Sequence, residues 1–142
     1  GDFDIMGIPA IFWTVTGDVP SQMFAWSRWQ LGWLRDTQIA CITSFPASVQ
    51  LTPLEMPGGI KAAVVPLTET IALVVESRRG ALVYMVDTSV PSGEGPIVVG
   101  SPSRPPGLSA LLDHGDVLSA GGYSVTVKEA TSQGDLVVIT AP

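Results

Sequence analysis

From residue 38 onward the chain is a succession of short runs of Val, Ile, Leu, Ala and Thr, each closed within a few positions by Gly, Pro, Ser or Asp. Runs of this length, rich in β-branched residues and bounded by turn formers, predict consecutive antiparallel strands. We place them at 38–43, 48–54, 60–67, 70–77, 81–87, 96–100, 116–119, 122–129 and 134–140. Val49 and Leu51 alternate with Gln50 and Thr52, and Val125 and Val127 alternate with Ser124, Thr126 and Lys128, so these strands bury one face only. The runs 62–67, 71–75 and 81–86 are apolar on both faces, which puts them at the centre of a sandwich or beneath a covering helix. Gly58 with Gly59, Gly121 with Gly122, and Gln133 to Asp135 read as turns, and 101–107 reads as an exposed loop or polyproline segment.

Before the strands lies one helical signal. From Pro20 the text runs PSQMFAWSRWQLGWLRD, in which Ser21 is a fitting N-cap and Met23, Trp26, Trp29 and Trp33 recur near helical spacing, so a helix over 21–35 is predicted. An aromatic stripe of this kind reads as core, with a ligand platform as the sharper alternative, and burying each large side chain contributes roughly 1.5–3 kcal/mol. The expected fold is therefore mainly β: an antiparallel β-sandwich or barrel-like domain with one N-terminal Trp-rich α-helix. At 142 residues, with 46% hydrophobic and only 14% charged side chains, the chain has the material for a packed core, and 15 Gly and 12 Pro supply its breaks.

Charge and residue inventory narrow the function. The formal charge is −6 and the Lys and Arg residues are scattered, so nucleic acid is not an expected partner, since phosphate recognition needs a concentrated cationic surface. Glu76, Asp87 and the Pro and Gly residues interrupt every apolar run before it could cross a bilayer, so no transmembrane segment is expected. No cationic and apolar leader is present, so any export signal of the parent gene is expected outside these residues. Cys41 and His114 are the single cysteine and the single histidine, too few donors for a zinc site built from this sequence alone. Cys41 reads as a small buried apolar residue, with a disulfide to an upstream segment as the alternative. His114, between Asp113 and Gly115, reads as a solvated loop residue.

Two acidic patterns admit a sharper reading beside a plain one. Asp113 to Asp116, and Asp2 with Asp4, offer oxygens to calcium, but lack the spacing of a calcium loop and read first as turn and cap residues. Glu76 and Asp87 end apolar strands with Arg78 and Arg79 nearby, which predicts a charge pair at a strand end. A pair of carboxylates for acid and base work is the alternative.

Three stretches resemble one family. GDFDIMG at 1–7 resembles the Met-turn of M6-family metalloproteases, the group that includes immune inhibitor A; AWSRWQLGWL at 25–34 is similar to the tryptophan-rich helix that follows that turn; and TIALVVESRRGALVYMVDTS at 70–89 resembles the family's paired strands, built around an E-x-R element and a later V-D ending. Here Arg79 runs directly into Gly80, where relatives carry a longer loop, so the hairpin is expected to be tight.

In such enzymes a helix bearing HExxH supplies two zinc ligands and the glutamate that activates the metal-bound water. That helix is not in this sequence, and the family pattern places it upstream. The resemblance therefore implies that residues 1–36 are the tail of a catalytic domain, with the Met-turn and its C-terminal helix, and that 37–142 are a β-rich domain packed on it. It implies an extracellular protein, zinc in the intact parent but no cofactor or catalytic residue in this chain, and an upstream catalytic domain and protein or peptide substrates as partners. Met6 is implied as the apolar floor beneath the metal. Ile8, Pro9, Phe12 and Trp13, which follow it, are candidates for a wall of the substrate pocket, with structural packing as the equal alternative. A free-standing β-sandwich binding protein or glycan at the cell surface is the competing function.

Overall fold

A computed structural model of the chain describes residues 22–102 and 110–142. It divides into two compact units, Gly1–Asp36 and Thr37–Pro142. In the first, α1 spans Ala25–Gln30. A 3-10 turn at Asp36–Gln38 precedes nine strands among the described residues: β1 Ile39–Cys41, β2 Ala47–Leu51, β3 Ala62–Pro66, β4 Ile71–Ser77, β5 Ala81–Asp87, β6 Ile97–Val99, β7 Val117–Ala120, β8 Tyr123–Thr131 and β9 Gly134–Thr140. The chain is mainly β, as expected, and each expected strand is present within a few residues of its place.

The strands form two sheets, one of five in the order β1-β3-β4-β5-β6 and one of four in the order β2-β9-β8-β7. They pack face to face as a sandwich-like fold. One continuous core lies between them, made of Ala63, Val65, Leu73, Val75 and Val83 from the larger sheet and Val49, Leu51, Val125, Val127, Val137 and Ile139 from the smaller. The three doubly apolar runs become β3, β4 and β5, the interior strands of the larger sheet. Their alternate residues Ala62, Val64, Val74, Leu82, Tyr84 and Val86 point to its outer face, where they too are buried. Both faces of these strands are thus dry, and this explains why their sequence does not alternate.

Two features depart from the sequence reading. Among the described strands pairing is antiparallel except at β1, which pairs parallel to β3, and an isolated parallel bridge joins Leu51 to Ile60. The intervening β2 belongs to the other sheet, so the chain leaves the larger sheet after Cys41 and returns at Ala62 in the same direction. Helix α1 is also shorter than the predicted 21–35. Its end is set by Gly32, whose φ of +74° is readily adopted only without a Cβ. The Gly32 amide donates to Trp29 O at 3.0 Å and the Trp33 amide to Arg28 O at 2.9 Å, the paired bonds of a Schellman stop. The chain turns there, so Trp33 leaves the helical stripe and is 66% exposed. Trp26 and Trp29 are half-buried and meet edge to face, ring centroids 5.5 Å apart. The expectation that the tryptophan stripe is core is corrected at Trp33, and Phe24 and Ala25 are the buried residues among those described in this segment. Ser21 lies outside the described residues, and the position before the helix is Phe24, which gives no side-chain cap.

Cys41 is a further correction. It lies on β1, the edge strand, and its side chain is exposed rather than buried. An exposed thiol reacts without unfolding, so the native chain is expected to take up one equivalent of a chromogenic disulfide reagent as fast as the urea-unfolded chain does. Protection of the native thiol by tenfold or more would contradict the exposed position.

Candidate functional site

The E-x-R element sits at the end of β4. Alternation sends Ala72, Val74 and Glu76 to the outer face of the larger sheet and Leu73, Val75 and Ser77 to the inner. Arg78, two residues beyond Glu76, returns to the Glu76 side. Its Nε donates to Glu76 Oε1 at 2.5 Å. On the neighbouring strand Tyr84 is paired with Val74, one step along the same face, and its hydroxyl donates to Glu76 Oε2 at 2.7 Å. Glu76 is fully buried and the Arg78 side chain is 11% exposed. A carboxylate in so dry a place requires compensation on both oxygens, and it has a cation on one and a phenol on the other. The expected charge pair at this strand end is thus present, and the spacing of E-x-R has a cause: two residues along a strand is the shortest separation that puts both side chains on one face.

Such a carboxylate is fixed and neutralised. The alternative of Glu76 and Asp87 as an acid and base pair is overturned by register. Glu76 faces Leu82, whereas Asp87 faces Ile71 at the other end of the hairpin, five residues away, or roughly 17 Å at the rise of an extended strand. Asp87 instead holds its own turn. The Ser89 hydroxyl at 2.6 Å and the Ser89 amide at 2.9 Å both donate to its Oδ1 and hold its carboxyl below the usual range. The connection between β4 and β5 is Arg78, Arg79 and Gly80, with Arg79 at φ +56° and Gly80 at φ +137°. It is the tight hairpin expected.

A second buried polar pair lies on the inner side of the same strand end. Ser77 Oγ donates to Asp135 Oδ2 at 2.5 Å, linking β4 of one sheet to β9 of the other. The sequence reading had Gln133 to Asp135 as a turn, but the turn closes earlier, at Ser132 and Gln133, and Asp135 is a fully buried strand residue opposite Leu51 and Ala130. Nothing in a Gly-Asp dipeptide distinguishes these outcomes. Lys61 is also buried, and its Nζ donates to Pro53 O at 2.9 Å and to Met56 O, pinning the 52–60 segment.

Asp113 to Asp116 form a closed turn. The Asp113 amide donates to Asp116 Oδ2 at 2.7 Å and the Asp116 amide to Asp113 O at 3.0 Å, with Gly115 at positive φ and His114 exposed. This is the turn role expected of them. Met6, Ile8, Pro9, Phe12 and Trp13, the candidates for the pocket floor and wall, lie outside the described residues, as do Asp2, Asp4 and 103–107 of the proline-rich stretch. Among the described residues no three His, Cys, Asp or Glu side chains are gathered as a metal site. No helix among them is long and apolar enough to cross a membrane. No protein-family model, curated protein or solved structure matches the chain.

Proposed function

We propose that this chain is the non-catalytic portion, from the Met-turn onward, of an M6-like extracellular zinc metalloendopeptidase, and that its β-rich unit supports the catalytic domain. The reading starts from the three ordered resemblances over residues 1–89. The observation that carries it is that 70–89, the stretch similar to the family's paired strands, forms the hairpin β4–β5, and that the two charged residues of its E-x-R element are joined in a buried ion pair. A short motif match that occurred by chance in a surface hairpin would have no reason to place a glutamate and an arginine in the dry interior. Peptide-bond hydrolysis then belongs to the intact parent, whose upstream HExxH helix would supply the metal-bound water, and the segment around Met6 and Trp13 would contribute to the floor and wall of the cleft.

The test compares two proteins: the product of the complete gene, and residues 1–142 alone. The expected result is casein cleavage by the first that a zinc chelator abolishes and added zinc restores, with no cleavage by the second. Zinc-dependent cleavage by residues 1–142 alone, or a complete gene that encodes no HExxH segment before Gly1, overturns the proposal.

A further inference from the structure

Apart from Glu76, Asp135 is the fully buried carboxylate among the described residues, and its surroundings are of another kind. It ends the inward row of β9 that begins with Ile139 and Val137, at one end of the interior between the sheets. Its Oδ2 accepts from Ser77 Oγ across that interior, while Oδ1 has no hydrogen-bond partner among the described residues. Glu76, by contrast, has both oxygens engaged and a guanidinium beside it.

We propose that the Ser77–Asp135 bridge is a pH-sensitive latch between the two sheets, holding this end of the sandwich closed more tightly in mildly acidic medium than at neutral pH.

The charges that surround Asp135 support this. β2, against which it pairs, carries no ionisable side chain. On β8 a bulge between Val127 and Glu129 resets the alternation, so that Ala130 faces inward opposite Asp135 while Lys128 and Glu129 are exposed. Glu76 and Arg78, next to Ser77, are on the outer side of the sheet and bonded to each other. Arg79 is exposed at the hairpin tip, and Lys61 is held by Pro53 O and Met56 O. In the segment before β7, His114 is exposed and Asp116 is bonded to the Asp113 amide, while the Asp113 carboxylate is close enough to act on Asp135 with the same sign. No cation therefore balances a negative Asp135. Burial pushes its carboxyl above the ordinary value of 3.8, and the Asp113 charge pushes the same way, against the Ser77 hydroxyl and the Gly80 amide, which favour the anion.

The sign follows from linkage. A carboxyl with a raised value in the folded state holds its proton at pH values where the unfolded chain has released it. Stability therefore rises as pH falls through the folded value and levels off below the unfolded one, and above the folded value the chain bears the whole cost of a buried, uncompensated charge.

The measurement is urea unfolding of the 142-residue chain at intervals from about pH 3 to 7.5, for the parent and Asp135→Asn, which keeps the shape and an acceptor for Ser77 but cannot ionise. The unfolding constant of the parent relative to the variant is expected to rise with pH, by up to about tenfold per pH unit within the window. A ratio that is flat, or that falls with rising pH, overturns the latch. Should Asp135→Asn fail to fold, the side-chain carboxyl of Asp135 in the parent is followed by carbon NMR over the same range. A midpoint above 3.8 is then expected, and one at or below it overturns the proposal.

Discussion

Replacing Glu76 by alanine is expected to destabilise the second unit by about 3–5 kcal/mol, the usual cost of removing one partner from a buried ion pair. The cost arises from what is left behind. Arg78, 11% exposed, loses the acceptor 2.5 Å from its Nε, and the Tyr84 hydroxyl loses its acceptor at 2.7 Å in a position with no access to solvent. A buried donor that loses a charged acceptor costs desolvation energy that no new bond to water offsets. Equilibrium urea unfolding followed by far-ultraviolet circular dichroism, to which the strands of this unit contribute, gives the difference. The decisive control removes these three polar groups together. Glu76→Met combined with Arg78→Met and Tyr84→Phe is expected to recover most of the loss, because an apolar set of similar volume has no charge to desolvate. If Glu76→Ala costs less than about 1 kcal/mol, as exposed pairs do, the carboxylate is not the buried centre of this hairpin.

The second large effect is expected at Gly134. A Cβ built there would lie 2.0 Å from Leu51 O and 3.1 Å from Leu51 C, both backbone atoms of the paired strand β2, and the residue has φ +137°. Neither neighbour is a flexible side-chain end, so relief requires β2 to move away from β9 and open the register that runs from Leu51↔Asp135 to Ala47↔Ile139. Strain and overpacking cost about 1–3 kcal/mol each, so Gly134→Ala is expected to lose about 2–6 kcal/mol or not to fold. Gly58 is the reference: its φ is +71°, but a Cβ there meets nothing within 4 Å, so Gly58→Ala bears only the left-handed backbone cost of about 1–2 kcal/mol. Equal losses at the two glycines would show that the close approach of β2 to residue 134 is not what the site depends on.

These sites differ in how far the sequence announced them. The pair of Glu76 and Arg78 was legible because two residues apart on a strand means one face, and an acid and a base on one face of an apolar run have little choice but to meet. Tyr84 was not singled out, since its partnership with Glu76 depends on the register Val74↔Tyr84 across the hairpin. Asp135 was read as part of a turn, because Gly-Asp is common turn chemistry and its burial follows only from a strand of the other sheet bringing Ser77 to it. The helix ran too long in the sequence reading for a local reason: the tryptophan spacing continues past Gly32, and the apolar period was followed when the glycine stop should have ended it. Cys41 was expected inside on composition, whereas its exposure comes from β1 being an edge.

What the sequence by itself determined is local: where the nine strands lie, which of them are apolar on both faces, and the tight turn at Arg79 and Gly80. Those properties depend on side chains within a few positions of one another, through alternation, β-branching and turn conformation. Which sheet each strand joins was decided only in three dimensions. The parallel pairing of β1 with β3, the position of β2 in the opposite sheet and the meeting of Ser77 with Asp135 across 58 residues all result from packing two sheets so that one continuous apolar core is closed. Residues far apart in the chain acquire their partners from that closure, and no short window of sequence contains it.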